Sequence, residues 1–371
     1  MKIAYIAVKG MPIGGGIEKL TEEIGSRMVQ YGHEVVVYSS RDYGAIDTIY
    51  RGMKVKTVPS INTKILHKLS ICFFSVLDAI LNDEYDLIHI HAVGPSIFSL
   101  LTRIKGIPTV VQTHGLEWKR DKWGLIGQNF FKLADYSAIY FPHLTTSVSE
   151  THKIYYEKKF GKLVHYIPTG VNNETKRAPQ WILENNLQPN RYILFAARLV
   201  EEKGAHFLIE AFKGIRSNLK LVVAGDAAHS EKYIASLKDA AAGDPRIIFT
   251  GFVSGEKIEE LFSNAYLFCL PSTIEGLPIA LLEAMSYGNC CLASDIPENL
   301  EAIKQFGFSF KNRNVSDLRT VLKDLLEHPE KVNSKKYSAR KHVIANYSWD
   351  MISKKMEELY LQLLKRKCKF Y

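Results

Sequence analysis

The chain has 371 residues, of which 46% are hydrophobic and 23% are charged. Two domains are expected at this length, because single domains typically hold about 100–200 residues. The mean hydropathy of −0.08 excludes a disordered chain. The longest apolar run, Ile71–Leu81, is interrupted by Ser75 and Asp78 and is too short for a membrane-spanning helix.

The net charge of +9 is spread evenly along the chain. Residues 1–170 carry 20 Lys and Arg against 15 Asp and Glu, and the remaining residues carry 28 against 24. An even excess fits phosphate ligands or an anionic membrane, and no element has the pattern of a nucleic-acid reader.

Five cysteines without a C-x-x-C pair, and a strand pattern from Lys2 instead of a secretory signal, favour a cytoplasmic protein.

The first 170 residues alternate between strand and helix patterns. Strands are predicted at 2–8, 33–38, 87–91, 109–112 and 144–147, and helices at 17–31, 64–82 and 95–105. This alternation predicts a parallel sheet with right-handed crossovers.

A second alternating series follows the polar stretch Pro168–Asn190, which predicts a linker near residues 170–190. Strands are predicted at 192–197, 220–224, 246–250, 267–270 and 289–293, helices at 205–216, 230–242, 255–264 and 278–287, and a long amphipathic helix at 349–364. The sequence therefore predicts an α/β protein with two doubly wound, Rossmann-like domains that face each other across a cleft.

Ligands of open parallel sheets bind outside the carboxyl ends of the strands. Arg198 ends the strand at 192–197, and Lys203 follows just before Gly204 and the next helix. Two cations at a strand end beside a helix N-terminus fit a diphosphate clamp, and a solvated surface pair is the alternative.

The stretch Glu275–Glu283 is the strongest signal in the sequence. Pro278 is expected in the first helical turn, which places Glu275 in the preceding loop and Glu283 in the second turn. The amides of Gly276 and Leu277 can bind an anion, while the two carboxylates accept from hydroxyl groups. This combination predicts a ligand with phosphate between two sugars, as in a nucleotide-sugar; a capping acid and a solvated acid form the alternative.

Two weaker signals lie in the first half. Consecutive glycines at 14–16 permit close approach to a phosphate or form only a turn, since neither a G-x-G-x-x-G nor a P-loop spacing is present. His114 follows the strand at 109–112, where a histidine could bond a reacting hydroxyl, although a lone histidine is more often structural.

His89 and His91 are interpreted as packing residues, with no third histidine or carboxylate to complete a metal site.

The segment from Glu117 to Leu133 mixes aromatic and aliphatic side chains with cations, including Lys122. It fits either an interfacial membrane segment or acceptor flap, or an ordinary helix pair with a packed aromatic core. The cations Lys365, Arg366, Lys367 and Lys369 are interpreted as a solvated tail.

Taken together in this order, the motifs resemble those of the GT-B glycosyltransferases, in particular the retaining family 4 (glycosyl transferases group 1). The matching motifs are Gly15-Gly16-Ile17-Glu18, Gly32-His33-Glu34-Val35, His114-Gly115, Arg198-x4-Lys203-Gly204, Gly225-Asp226, Glu275-x7-Glu283 and Tyr347-Ser348-Trp349-Asp350. The resemblance implies an acceptor-side domain at 1–170, a donor-binding domain at 171–347 and a last helix at 348–371 that packs back on the first domain.

The resemblance also implies roles for residues. His114, Arg198, Lys203 and Glu275 are the expected catalytic residues, with the two cations on the donor diphosphate and Glu275 on the sugar hydroxyls. Glu283 is expected on the ribose. Further donor contacts are expected at Gly15, Gly16, Gly225, Phe252, Val253, Gly276, Leu277, Pro278 and Ile279.

The implied reaction is the transfer of a hexose-type sugar, with retention, from a UDP- or GDP-sugar to a saccharide or lipid-linked acceptor of bacterial surface polysaccharide synthesis. No metal or cofactor is expected, in keeping with the missing Asp-x-Asp motif, and peripheral contact with the inner face of the membrane is expected from the aromatic–basic segment. Two alternatives stay open: a catalytically inactive nucleotide-sugar-binding protein and an NAD(P)-dependent oxidoreductase. The second is kept because Arg41 follows the second strand, where a cation could bind the 2′-phosphate of the cofactor.

Overall fold

The computed structural model describes residues 1–12, 15–43, 48–61, 63, 66–82, 84–120, 123–226 and 230–367. Gly14, Lys122 and Lys369 of the sequence analysis lie outside these residues. The chain divides into two compact units: unit 1 holds Met1–Gly170 and the segment that begins at Trp349, and unit 2 holds Val171–Ser348.

Unit 1 is built on a mostly parallel sheet. Its strands are β1 (Lys2–Ile6), β2 (Glu34–Ser40), β3 (Thr48–Tyr50), β4 (Met53–Val58), β5 (Leu87–His91), β6 (Thr109–Thr113), β7 (Leu144–Ser147) and β8 (His165–Tyr166). Its first helices are α1 (Gly16–Gln30), α2 (Leu66–Leu81), α3 (Ser99–Ile104), α4 (Leu125–Tyr140) and α5 (Glu150–Phe160). The strand order is β3-β4-β2-β1-β5-β6-β7-β8, with β3 antiparallel to β4.

Unit 2 is a second parallel sheet. Its strands are β9 (Tyr192–Ala196), β10 (Lys220–Ala224), β11 (Ile247–Gly251), β12 (Leu267–Leu270), β13 (Cys291–Ser294) and β14 (Phe308–Phe310), in the order β11-β10-β9-β12-β13-β14. Its helices are α6 (Trp181–Glu184), α7 (Ala205–Lys213), α8 (Glu231–Ala241), α9 (Glu256–Asn264), α10 (Ile279–Ser286), α11 (Pro297–Ile303), α12 (Val315–Glu327) and α13 (Pro329–Asn346).

The last helix, α14 (Trp349–Lys367), belongs to unit 1. The Trp349 and Tyr360 side chains are fully buried. The Tyr360 hydroxyl lies 3.1 Å from the Tyr5 hydroxyl of β1 and also contacts Nδ1 of His89 on β5. Helix α14 therefore supplies part of the core of unit 1.

The predicted strands at 87–91, 144–147, 220–224 and 267–270 have the same bounds in the structure. The helix predicted at 95–105 is a 3-10 turn, Gly94–Phe98, followed by the shorter α3. The predicted linker is wrong from Val171 onward. Those residues belong to unit 2. The buried Glu260 carboxylate holds them there by accepting hydrogen bonds from the amides of Gln180 and Ile182 at 2.9 and 3.2 Å.

Candidate active site

The predicted donor residues of unit 2 gather at one edge of its sheet. Arg198 follows β9, Gly225 follows β10, the Phe252–Val253 turn follows β11, and the loop with Glu275 follows β12. These strands are neighbours and parallel, so their carboxyl ends meet at the same edge. The order of the strands therefore brings together residues that are up to about eighty positions apart in sequence.

Lys203 and Glu275 form an ion pair at this edge. Lys203 lies in a 3-10 turn that the Thr273 amide holds by donating to the Glu202 carbonyl at 2.8 Å. Nζ of Lys203 is 2.6 Å from Oε1 of Glu275, and the two side chains are only 18% and 7% exposed. The short distance and the burial mark a charge-assisted hydrogen bond that fixes both side chains.

The pair leaves binding capacity for a ligand. An ammonium group has three donors, and Glu275 uses one of them. Oε2 of Glu275 has no hydrogen-bond partner among the residues that the structure describes, so it can accept from a hydroxyl. Arg198 is exposed, and within the same residues its guanidinium has no partner. The Lys203 cation and the hydroxyl acceptor of Glu275 thus lie side by side, and Arg198 adds a second cation at the same edge of the sheet.

Two glycines let the loops approach each other. Gly204 has φ +71°, and a Cβ there would lie 2.1 Å from the Pro271 carbonyl oxygen. Gly225 has φ +144°, and a Cβ there would lie 1.9 Å from the Ala197 carbonyl oxygen. Any side chain at either position would push the loops after β9, β10 and β12 apart.

Helix α10 begins one residue later than the sequence analysis places it. Pro278 is the N-cap, not a residue of the first turn, because the first helical bonds run from the Leu281 and Leu282 amides to its carbonyl. Within this described helix the Ile279 and Ala280 amides therefore have no intrahelical acceptor. Glu283 lies in the second turn, as predicted, and Gly276 and Leu277 precede the cap.

A buried polar cluster behind this loop is absent from the sequence analysis. Nδ2 of Asn299 is 2.8 Å from the Ser294 hydroxyl and 3.4 Å from the Ser272 hydroxyl. The Ser294 hydroxyl in turn donates to the Ser272 carbonyl. A buried amide needs partners, but nothing in the sequence indicates this burial, because Asn299 stands between Glu298 and Glu301 in a polar helix.

In unit 1, His114 follows β6 and lies beside the end of the neighbouring strand β5. Its Nε2 is 3.1 Å from Nδ1 of His91. His89 and His91 are both buried, and His91 stacks on the Tyr5 ring, so the interpretation of the two as packing residues is confirmed. The contact with His114 was not predicted, and it arises because parallel pairing of β5 and β6 brings His114 next to His91. Burial lowers the pKa of both rings well below the usual range, and the positive charge of Lys68 lowers each pKa further.

Gly15 and Gly16 lie at the start of α1, as the glycine pattern predicts. Oε1 of Glu18 accepts a hydrogen bond of 3.1 Å from the Lys9 amide, which ties the end of the loop to its beginning. The acidic side chain also suits the positive end of the helix.

The aromatic–basic segment divides into a packed and an exposed part. The rings of Trp123 and Phe131 pack with centroids 4.9 Å apart. Helix α4, however, buries Asp135 and Ser137 and exposes an apolar stripe. The stripe consists of Ile126, Leu133, Tyr136 and Tyr140.

No helix formed by the described residues is both long and apolar enough to cross a membrane. Across those same parts of the chain, no group of three His, Cys, Asp or Glu side chains has an arrangement suited to a metal ion.

Two family models match this chain. The model of "Glycosyltransferase Family 4" matches residues 14–175, and that of "Glycosyl transferases group 1" matches residues 180–342. An uncharacterised glycosyltransferase of Methanocaldococcus jannaschii is 27% identical over 97% of this chain and 98% of its own length.

Other proteins of known name or structure are similar over nearly the whole chain. The UDP-Gal:alpha-D-GlcNAc-diphosphoundecaprenol alpha-1,3-galactosyltransferase of Escherichia coli is 22% identical over 99% of this chain and 98% of its own. The crystal structure of Anabaena HepE in complex with UDP and glucose matches with a TM-score of 0.82 and 19% identity, covering 98% of this chain and all of that one. With both halves matched by family models and both sheets arranged as in GT-B structures, this chain is a GT-B glycosyltransferase of the family 4 and group 1 type.

Proposed function

We propose that this glycosyltransferase moves a hexose-type sugar, with retention, from a nucleoside diphosphate sugar to a hydroxyl of a saccharide or lipid-linked acceptor. The Lys203–Glu275 pair carries the proposal, because it sets a cation and a hydroxyl acceptor side by side at the end of β12. UDP or GDP is the proposed nucleotide. The HepE structure, in complex with UDP and glucose, supports the former.

The proposed chemistry uses the leaving group itself. The acceptor oxygen bonds to the anomeric carbon on the face from which the diphosphate leaves, and the bond to the β-phosphate oxygen breaks with its electron pair on that oxygen. The acceptor's hydroxyl proton goes to the same oxygen. Lys203, Arg198 and the free amides of α10 stabilise the developing negative charge, so we propose that no metal or cofactor takes part.

We propose further donor contacts for the other predicted residues. Glu275 is proposed to hold sugar hydroxyls and Glu283 the ribose, while the Phe252–Val253 turn is proposed to lie near the base. Backbone at Gly225, at residues 276–279 and at Gly15–Gly16 is proposed to approach the donor, and His114 to contact the sugar.

A donor screen tests this function. UDP-, GDP- and ADP-sugars are compared for thermal stabilisation, because a ligand that binds only the folded state raises its stability. The stabilising donor is then supplied with diphosphoundecaprenol-linked and free saccharide acceptors, and the product's anomeric configuration is read by NMR. Binding without transfer to any acceptor favours an inactive nucleotide-sugar-binding protein, and an inverted product refutes retention.

We also propose that unit 1 contacts an anionic membrane through helix α4. Its exposed stripe has the spacing of one helix face, and Ile126 and Leu133 are 89% and 69% exposed. Two cations lie at the C-terminal end of the stripe: Nζ of Lys159 lies 6.0 Å from the centre of the Tyr136 ring, and Nζ of Lys162 lies 5.8 Å from that of the Tyr140 ring. Apolar anchors beside cations suit an anionic lipid surface at the inner face of the cell membrane.

Vesicle binding tests this contact. Ile126→Ser is expected to weaken binding to phosphatidylglycerol vesicles about tenfold, the value of burying one large aliphatic side chain. Ile49→Ser is the matched control, because Ile49 is 76% exposed on strand β3 of the same unit. Equal binding by the wild-type protein and the Ile126 variant at low salt would refute the membrane contact.

A further inference from the structure

A chain of hydrogen bonds runs from helix α1 to His114. The Thr21 hydroxyl lies 2.8 Å from the Ile17 carbonyl oxygen and 3.0 Å from Nε2 of His91. Nδ1 of His91 lies 3.1 Å from Nε2 of His114. Thr21 and His91 are fully buried, and His114 is half-buried.

The direction of each bond follows from the first acceptor. A carbonyl oxygen can only accept, so the single Thr21 proton points to Ile17. The Thr21 oxygen therefore accepts from Nε2–H of His91. A neutral imidazole has one N–H, so Nδ1 of His91 accepts, and Nε2 of His114 must donate to it.

We infer that Thr21 and His91 are positioning residues that hold His114 in the Nε2–H tautomer, so that its Nδ1 presents a lone pair to a hydroxyl group of the sugar substrate. Within the residues that the structure describes, Nδ1 of His114 has no partner. A bare ring nitrogen accepts from a hydroxyl but repels a phosphate oxygen, so His114 selects the sugar. This assignment of ligand chemistry rests on the proposed function.

The surroundings keep both rings neutral. Burial lowers the pKa of His91 and of His114 well below the usual range. A proton added to Nδ1 of His91 would face the Nε2–H of His114, so neither nitrogen could accept. The hydrogen bond could then form only if His114 moved its own proton to Nδ1. The charged or titratable groups around the rings and around Lys68 come from strands β1 and β5, helices α1 and α2 and neighbouring loops. They are Tyr5, Lys9, Glu18, Lys68, Cys72, His89 and Glu117.

Imidazole tautomers can be measured directly in the unliganded protein. Long-range ¹H–¹⁵N spectra of histidine-labelled protein at pH 7.5 distinguish a protonated from a bare ring nitrogen, and His114→Gln assigns the signals. We expect protonated Nε2 and bare Nδ1 in the wild type, a shift toward protonated Nδ1 in Thr21→Val, and the wild-type pattern in Thr21→Ser. Ser75→Ala is the matched control, since Ser75 is a buried helical hydroxyl of unit 1 that donates to the Ile71 carbonyl.

Protonated Nδ1 in the wild type, or an unchanged tautomer in Thr21→Val, would overturn the inference whether or not the protein transfers sugar. The ligand assignment is tested with monodeoxy forms of the donor sugar. One of them is expected to lose about two- to tenfold in kcat/KM, the value of one hydrogen bond, and that loss should vanish in Thr21→Val. Deoxy penalties that are equal in wild type and variant would refute the hydroxyl contact, whereas a lack of transfer from any sugar nucleotide would refute only the proposed function.

Discussion

The two units stabilise the polar groups of their own candidate residues in opposite ways. Unit 2 uses charges: Lys203 and Glu275 are paired, and Arg198 extends into solvent. Unit 1 uses neutral groups: His91 and His114 are uncharged at neutral pH and are joined by a directed hydrogen bond. A buried charge requires a partner of opposite charge, whereas a buried neutral ring requires only a donor and an acceptor in the right places.

This difference determines which conditions should disturb each unit. Removing a partner acts on a paired charge such as Lys203, and added salt acts on an exposed charge such as Arg198. Both changes should therefore affect the cations of unit 2 first. Acid acts on neutral histidines, so it should affect unit 1 first. Three predictions test the contrast, in order of decreasing effect.

The largest effect is expected from Lys203→Ala. The variant removes the proposed bond to the diphosphate and leaves the buried Glu275 carboxylate without its partner. A hydrogen bond to a charged group is worth about 1.5–3 kcal/mol, so kcat/KM should fall about ten- to a hundredfold or more. Steady-state transfer assays measure this loss.

Lys213→Ala is the control for the Lys203 variant, because it removes the same charge from an exposed position on helix α7. It should keep the wild-type kcat/KM. Near-wild-type transfer by both Lys203→Ala and Glu275→Ala would contradict the assigned site.

The second prediction concerns the stability of unit 1 toward acid. Burial lowers the pKa of His89 to about 3, while a histidine in the unfolded chain titrates near pH 6.5. Below about pH 6.5 the unfolded chain therefore binds more protons than the folded one, and each such histidine should reduce the free energy of unfolding by about 1.4 kcal/mol per pH unit. Urea unfolding between pH 7 and pH 5 measures the slope.

His89→Gln gives the matched comparison for acid stability. Glutamine does not titrate, so the slope should decrease by the contribution of one histidine, whatever the variant's stability at pH 7. Identical slopes for His89→Gln and the wild type would show that His89 is protonated in the folded state.

The smallest effect is expected from Arg198→Ala. The guanidinium is exposed, so solvent and salt screen its attraction for a diphosphate, and holding its long side chain in place costs entropy. We expect the donor KM to rise about two- to fivefold at low ionic strength and less at high salt. A salt-independent loss as large as that of Lys203→Ala would remove the distinction between a paired and an exposed cation.

Much of the fold could be predicted from the sequence because buried parallel strands appear as continuous apolar runs. The strand Lys220–Ala224 is such a run, and its bounds were predicted correctly. Short edge strands carry no such pattern: Phe308–Phe310 has three residues and pairs only with β13, so nothing local distinguished it from a loop.

The gathering of the predicted donor residues at one edge of the sheet could be predicted for a related reason. Arg198, Lys203 and Glu275 follow strands, and the ends of neighbouring parallel strands meet whatever the loops do. The role of His91 could not be predicted, because it depends on Thr21 and His114, which are 70 and 23 positions away along the chain. The exposed face of helix α4 could not be predicted from polarity either. The helix buries the charged Asp135 and exposes the apolar Leu133, whereas polarity alone predicts the reverse.

The placement of α14 has a consequence for how the protein is made. Unit 2 has all of its residues once the ribosome has passed Ser348, whereas unit 1 still lacks Trp349 and Tyr360. Domains generally fold as units, in the order of their synthesis. Here the half of the protein that is translated first is therefore the last to complete its core, and until α14 emerges Tyr5 and His89 lack the tyrosine that bonds them both.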